Sequence, residues 1–143
     1  MSHYDKIWWL EENSVGGMRQ PEIEDIPDLH KRGLRAVASF LEAPENIEEY
    51  KANDIEACWI PVEDDLAPNR EQVEKFSAFV DQMKAEEKAL AVHCKGGNGR
   101  AGTMLAGYYI LKGRDSQDVL DWMRSINPKA VRTKVQEDFL HSL

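Results

Sequence analysis

The segment from His93 to Thr103, HCKGGNGRAGT, contains the residues best suited to chemistry. Cys94 and Arg100 stand six residues apart, and three glycines lie between them (Gly96, Gly97 and Gly99). The glycines let the backbone turn tightly, so that successive N–H groups point at one anion. Arg100 can bind two oxygens of a phosphate side by side. Because these donors favour a thiolate over a thiol, Cys94 is a candidate nucleophile toward the bound phosphate.

The elements on either side must hold this loop, residues 94–100, which we call the anion loop. Before it, Ala89–His93 is a short apolar run that predicts a buried strand. After it, Arg100–Lys112 predicts a helix that ends at Gly113. A loop leading from a strand into a helix lies at the carboxyl edge of an open α/β sheet, where ligands bind. The positive N-terminal end of the helix adds to the attraction for an anion.

The remaining segments alternate between strand and helix patterns. Strands are predicted over residues 6–11, 34–41 and 55–62, and a turn at 14–18 leads into a further one. Helices are predicted over residues 22–31, 44–51, 115–126 and 133–143, and a long one follows a capping box of Asn69 and Gln72. This alternation predicts a single-domain α/β/α sandwich over residues 1–143, with a largely parallel central sheet.

The composition is that of an acidic globular chain. Its 18 basic and 26 acidic residues give a net charge of −8 over 143 residues, so the surface repels nucleic acid and anionic lipid at long range. No apolar run approaches the roughly 20 residues of a membrane span, and the N-terminus lacks a secretion-signal pattern. We therefore expect a cytoplasmic monomer without nucleic-acid or membrane partners. Cys58 lies in a predicted strand, where it either packs or serves as a redox partner for Cys94.

The stretch His93–Arg100 resembles the His-Cys-x5-Arg signature of the protein tyrosine phosphatase superfamily, in its small dual-specificity-like branch. The resemblance implies that Cys94 attacks phosphorus, that His93 supports the loop, and that no cofactor or metal takes part. It implies phosphate binding by Arg100 and the rest of the loop: Lys95, Gly96, Gly97, Asn98 and Gly99. The implied partners are phosphorylated proteins, with phosphotyrosine as the substrate and phosphoserine or phosphothreonine as further ones.

Two more stretches extend the resemblance. Pro61-Val62-Glu63-Asp64, followed by Pro68, resembles the family's loop that carries the general acid, and we call residues 61–68 the acid loop. The resemblance implies that Asp64 protonates the leaving oxygen, although the neighbouring Asp65 stays an alternative. Gln136 resembles the family's glutamine that orients the attacking water. It can equally cap a helix, because Thr133 and Gln136 form a capping box.

Ala101 departs from the family pattern, which usually has a serine or threonine after the arginine to stabilise the departing thiolate. The departure predicts slow hydrolysis of the phosphocysteine intermediate, and it keeps open a weakly catalytic phosphate-binding module. Lys95 supports another alternative, a phosphatase for small molecules or inositol phosphates. Arg19 could line the cleft from the N-terminal side, or simply be a solvated turn residue.

Overall fold

The computed structural model describes residues 2–143 and contains a five-stranded sheet with the order β1-β2-β5-β3-β4. The strands are β1 (Trp8–Glu11), β2 (Val15–Met18), β3 (Leu34–Ser39), β4 (Glu56–Trp59) and β5 (Ala89–His93). β5 pairs in parallel with both β2 and β3, and β3 pairs in parallel with β4. Only β1 is antiparallel, since it forms a hairpin with β2. The predicted sandwich with a largely parallel sheet is confirmed.

Six α-helices cover the sheet. They are α1 (Ile26–Lys31), α2 (Ile47–Ala52), α3 (Arg70–Ala85), α4 (Gly99–Leu111), α5 (Ser116–Ile126) and α6 (Lys134–Ser142). α3 begins at the predicted capping box, in which Asn69 and Gln72 each accept from the other's backbone N–H. Asp115 caps α5 and Thr133 caps α6 in the same way, by accepting from the backbone three residues on.

The two faces of the sheet bury separate apolar clusters. α1 and α2 cover one face, where Ile26, Leu29 and Tyr50 pack on Val37 and Ala91. The other four α-helices cover the opposite face, and α4 is buried there from Gly99 to Tyr109. Because side chains alternate along a strand, Leu90 and Val92 of β5 enter this second cluster while Ala91 enters the first. β5 is thus buried on both faces and holds its carboxyl end rigidly.

The elements differ from the sequence pattern mainly at the edges. The strand predicted over residues 55–62 is only Glu56–Trp59, because β4 is an edge strand and its chain turns into the acid loop at Pro61. A short 3₁₀ helix, His3–Lys6, precedes β1 and was not predicted. None of the helices within residues 2–143 is long and apolar enough to cross a bilayer.

Candidate active site

The anion loop takes its shape from contacts with the neighbouring strand β2. Gly97 has φ +82°, and a Cβ there would lie 2.4 Å from the backbone carbonyl of Met18, so only glycine fits. The Trp8 indole lies on Gly17, where a Cβ would meet its ring at 2.3 Å, and its Nε1 donates to the Gly97 carbonyl at 3.2 Å. The Gln20 N–H donates to the Lys95 carbonyl at 3.0 Å. Trp8 of β1 and Gln20 after β2 therefore hold the anion loop by donating to two of the loop's own carbonyl groups.

The N–H groups of the loop are free. Within residues 2–143, no N–H from residue 95 to residue 100 donates to a protein acceptor, whereas the Gly102 N–H already bonds the Asn98 carbonyl. Several unpaired donors in one tight turn form a concave anion site, and the first turn of α4 adds its own positive end. The loop is thus built to surround an anion with backbone donors.

Within residues 2–143, the Arg100 guanidinium forms hydrogen bonds to the protein through Nη1 but not through Nε. Its side chain is 5% exposed, and its Nη1 donates to the Val62 carbonyl at 3.0 Å and to the Phe40 carbonyl at 3.4 Å. Its Nε is buried and has no hydrogen-bond partner among the described residues. Because a buried unpaired donor is costly, the free Nε is best explained as a group that waits for ligand oxygens.

Beneath the loop, His93 and Tyr50 fix the backbone that carries Cys94. The His93 Nδ1 donates to the Cys94 carbonyl at 3.1 Å, and the Tyr50 hydroxyl donates to His93 Nε2 at 2.8 Å. Burial lowers the pKa of His93 to about 4, so the ring is neutral at pH 7 and can accept at Nε2. Burial also raises the pKa of Tyr50, which keeps its hydroxyl protonated. The predicted supporting position of His93 agrees with this geometry.

A pocket of about 230 Å³, which we call the loop pocket, brings most of the predicted site residues together. Its lining consists of Asp64, Cys94, Lys95, Gly96, Asn98, Gly99, Arg100 and Arg132. The Asp64 Oδ1 lies 3.5 Å from Arg100 Nε, at ion-pair distance but not in hydrogen-bonding geometry. Asp65 does not line the pocket. It has φ +65°, and its carbonyl accepts from the Thr133 hydroxyl. Of the two candidate acids, only Asp64 lines the loop pocket together with Cys94.

The acid loop is tied to the start of α6. The Thr133 hydroxyl donates to the Asp65 carbonyl at 2.9 Å, and the Gln136 Nε2 donates to the Leu66 carbonyl at 3.2 Å. The Gln136 Oε1 accepts from the N–H groups of Arg132 and Thr133, which completes the capping box. Gln136 is buried and lies about 3.3 Å from the position of a Cβ on Gly99. The capping role is present in the structure, and the water-orienting role stays a prediction.

Thr103 does not supply the hydroxyl that Ala101 lacks. Ala101 is fully buried at the start of α4. The nearest hydroxyl on that helix, Thr103 Oγ1, donates to the Gly99 carbonyl at 2.7 Å and is fully buried there. Its proton is therefore directed at the helix backbone and not at the Cys94 sulfur.

Sequence reasoning missed Arg132, which lines the loop pocket from the segment before α6. The preceding residue, Val131, has φ +63°, a conformation that a β-branched residue rarely adopts. No local pattern marks such a position. Arg19 lines another cavity together with Lys6 and Trp8, and this cavity shares Gly96 and Asn98 with the loop pocket.

Cys58 cannot pair with Cys94. It lies on edge strand β4 opposite Ala38, and Ala38 in turn lies opposite Val92 of β5. Two strand spacings separate Cys58 from β5 by about 9.5 Å, which exceeds the roughly 7 Å limit for a disulfide. Burial also raises the pKa of the Cys58 thiol, which lowers its reactivity. The packing interpretation fits this position and the redox partnership does not.

Cys94 and the buried Arg100 thus lie in one loop of unpaired N–H groups, at the carboxyl end of a central parallel strand. The model of the family described as "Swiss Army Knife protein, DSP-PTPase phosphatase domain" matches residues 5–140. The chain therefore belongs to this family of dual-specificity-type phosphatases within the protein tyrosine phosphatase superfamily.

Three individual proteins illustrate the relationship. Phosphatidylglycerophosphate phosphatase PTPMT2 of Arabidopsis thaliana is 30% identical over 92% of this chain and 62% of its own length. Tyrosine-protein phosphatase cdcA of Emericella nidulans is 36% identical over 55% of this chain and 13% of its own. The crystal structure of Tk-PTP in the active form has a TM-score of 0.87 at 26% identity, covering 96% of this chain and 95% of that one. The chain thus spans less than two thirds of the length of these two curated relatives.

Proposed function

We propose that this chain hydrolyses phosphate monoesters through a phosphocysteine on Cys94, with Arg100 binding the phosphate and Asp64 as the general acid. The observation that carries the proposal is the loop pocket, where a cysteine, unpaired N–H donors, the free Nε of Arg100 and one carboxylate converge. Family membership supports phosphatase activity, and the geometry supports these residue assignments.

In the first step, the Cys94 thiolate attacks phosphorus and forms an S–P bond as the P–O bond to the leaving group breaks. Asp64 gives its proton to the leaving oxygen. The Arg100 Nε and the N–H groups of residues 95–100 donate to the non-bridging oxygens, where negative charge must be held through the transition state. Since these donors stand in place beforehand, little reorganisation is needed when the phosphate is transferred.

In the second step, water attacks phosphorus while the ionised Asp64 accepts its proton, and the S–P bond breaks to return the thiolate and free phosphate. Ala101 offers no hydroxyl to the departing sulfur, and the Thr103 hydroxyl is bonded to the helix. We infer that this step is the slower of the two.

For the substrate, the sequence predicts phosphotyrosine in proteins, and the Emericella relative is named a tyrosine-protein phosphatase. The loop pocket favours a second class, a phosphate on a polar, negatively charged headgroup. Within the described residues, the pocket wall has no aromatic or aliphatic side chain to receive a tyrosine ring, while Lys95 and Arg132 add cations at its rim. The Arabidopsis relative, named a phosphatidylglycerophosphate phosphatase, supports this second class. We propose polar phosphorylated headgroups as the preferred substrates.

Phosphate release from an aryl phosphate by the wild type and by Cys94→Ser tests the chemistry. We expect the serine variant to lose all measurable turnover while it still binds phosphate, because a serine hydroxyl at neutral pH is a far weaker nucleophile than a thiolate. Cys58→Ser is the matched control and should keep full turnover. Turnover that survives in Cys94→Ser would refute the mechanism.

A comparison of kcat/KM for a phosphotyrosine peptide, glycerol 3-phosphate and phosphatidylglycerophosphate in detergent micelles tests the substrate class. We expect the headgroup substrates to exceed the peptide. A preference for the peptide by tenfold or more would restore the protein substrate that the sequence predicts.

A further inference from the structure

We propose that Lys129 and Arg132 form a second phosphate-binding site beside the loop pocket, which receives a second phosphate group of the same substrate. The inference rests on the proposed function, because it deepens the substrate class of that site. It starts from a cavity that neither the sequence pattern nor the catalytic scheme uses.

A cavity of about 520 Å³, which we call the basic cavity, adjoins the loop pocket. Its lining consists of Asn98, Arg124, Pro128, Lys129, Val131 and Arg132. Asn98 and Arg132 line both spaces, so the two are contiguous at these residues. A substrate whose phosphate lies over Cys94 can therefore extend directly into the basic cavity.

The charge of this cavity is positive and largely unneutralised. Arg124 is committed to the fold, because it donates to the carbonyls of Ala130 and Val131 and pairs with Glu137 at 3.2 Å. The side chains of Lys129 and Arg132 have no hydrogen-bond or ion-pair partner in residues 2–143, and no carboxylate lines the cavity. Two free cations at one cavity are notable in a chain whose net charge is −8.

Arg132 is placed there by a strained and tightly held backbone. Val131 adopts φ +63°, which costs on the order of 1–3 kcal/mol for such a residue. Three contacts hold it: its N–H donates to the Asn98 carbonyl, Arg124 donates to its carbonyl, and a Cβ on Gly102 would lie 2.9 Å from its nitrogen. The first of these contacts links the segment to the anion loop itself.

The stem of Arg132 lies against the anion loop, since a Cβ on Gly99 would lie 3.4 Å from Arg132 Cδ. The side chain thus passes along the rim of the loop pocket, while the residue as a whole is exposed. The strained backbone at Val131 thus places Arg132 between the loop pocket and the basic cavity, which points to a role for Arg132 in binding.

Phosphate is the ligand that fits this pair of cations best. It carries up to two charges and several acceptor oxygens, so an arginine and a lysine can both bind one group. A long polyanion such as RNA would instead meet the repulsion of the acidic surface. The loop pocket therefore takes the phosphate that is cleaved, and the basic cavity takes the phosphate that remains on the substrate.

Soluble alkanediol phosphates provide the test. We would measure kcat/KM for bisphosphates and monophosphates of diols with three to six carbons, after halving the bisphosphate value for its two equivalent ends. Since a hydrogen bond to a charged group is worth a factor of about ten or more, we expect the wild type to prefer one bisphosphate by about tenfold. Lys129→Met and Arg132→Met should each reduce this preference, and the double variant should remove it.

The control is Lys51→Met, which removes one charge near the opposite edge of the sheet and should leave the preference unchanged. Equal values for mono- and bisphosphates in the wild type would overturn the proposal, as would a preference that persists in the double variant. Loss of the preference in Lys6→Met or Arg19→Met would instead place the second phosphate in the cavity on the other side of the loop, which also refutes the assignment.

A binding measurement separates this inference from the proposed function. Calorimetry with the Cys94→Ser variant should show tighter binding of the bisphosphate than of the monophosphate, whether or not the wild type turns either over. Lack of turnover alone would thus defeat the catalytic proposal, and equal affinities would defeat the second site. A doubly phosphorylated peptide that depends on Lys129 and Arg132 more strongly than the bisphosphate does would overturn the headgroup assignment.

Discussion

The anion loop and the acid loop meet at one pocket but are held in opposite ways. The anion loop is fixed by its backbone, because Gly97 fits against Met18 without space for a Cβ and its carbonyl is bonded by Trp8. In the acid loop, Val62 is buried and bonded to Arg100 and Phe40, but the exposed residues 63–66 are held by two side-chain hydrogen bonds from the start of α6. The Asp64 side chain is 60% exposed. The anion loop is fixed by close packing of its backbone, whereas residues 63–66 of the acid loop lie on the surface.

The difference indicates that phosphate binding and proton transfer can be damaged separately. A change in the anion loop must disturb packing and therefore the position of every donor at once. A side-chain change at Asp64 alters one exposed carboxylate and leaves the donors of the anion loop in place. Each of the variants below tests this contrast between the anion loop and the acid loop or measures its size.

The largest effect is expected for Gly97→Ala. A methyl group at φ +82° would lie 2.4 Å from the Met18 carbonyl, so the loop must move, and we expect kcat/KM to fall by about a thousandfold. Gly113→Ala is the matched control, since Gly113 also has positive φ but nothing within 4 Å. It should lose about 1 kcal/mol of unfolding free energy and keep its activity. Equal losses of activity in Gly97→Ala and Gly113→Ala would mean that the close fit of Gly97 against Met18 does not determine the position of the anion loop.

Asp64→Asn should reduce turnover of alkyl phosphates by about a hundredfold or more, because a poor leaving group needs the proton. Aryl phosphates should suffer less, because their leaving groups depart more readily without a proton. Asp65→Asn serves as the control, since Asp65 does not line the loop pocket. A larger loss in Asp65→Asn would reverse the assignment of the acid.

Ala101→Ser should accelerate the second step by about tenfold, because the new hydroxyl can donate to the departing thiolate. Rapid-mixing kinetics on an aryl phosphate should show a burst of released phenol in the wild type and a smaller burst in the variant. Ala106→Ser adds a hydroxyl to a buried position of the same helix and should change neither phase. A linear time course in the wild type would contradict the slow second step.

Thr133→Val should lower kcat only about threefold by removing the donor to Asp65, and should cost about 1 kcal/mol of stability through the lost helix cap. Thr133→Ser should restore both. In an Asp64→Asn background the kcat effect should vanish, because it acts through the acid; additive losses would show that Thr133 acts elsewhere.

His93→Asn should act mainly on the way the free energy of unfolding depends on pH, and only weakly on turnover. Burial lowers the pKa of His93 to about 4, below its ordinary value of 6.5, so the unfolded chain takes up the proton first as pH falls. Stability is therefore lost between pH 6.5 and about 4, and at pH 5 the loss amounts to about 2 kcal/mol. Urea unfolding at pH 7 and pH 5 should show a smaller decrease in His93→Asn. An equal decrease in stability in the wild type and in His93→Asn would mean that the His93 ring is not buried in its neutral form.

The sequence predicted the anion loop well because its determinants are local. A strand, three glycines and an arginine within twelve residues specify a turn that needs no distant information. The choice between Asp64 and Asp65 was not local. It depends on the left-handed φ of Asp65 and on the bond from Thr133, which is 68 residues away.

Arg132 shows most clearly what the sequence could not predict. Valine is among the residues least expected at positive φ, so the backbone of Val131 contradicts local preference and is imposed by contacts with Asn98 and Arg124. Trp8 likewise meets the anion loop across 89 residues of chain. Tertiary contacts of this kind leave no periodic signal.

The strand order also has a consequence for how the chain is made. β5 is the last strand to be synthesised, yet it lies in the middle of the sheet, between β2 and β3. Until residues 89–93 leave the ribosome, the β1–β2 hairpin and the β3–β4 pair have no strand to join them. Cys94 is the very next residue. Cys94 can therefore take its place in the anion loop only in a chain that contains β5 and can complete the sheet, and a nascent fragment that stops before β5 lacks the proposed nucleophile altogether.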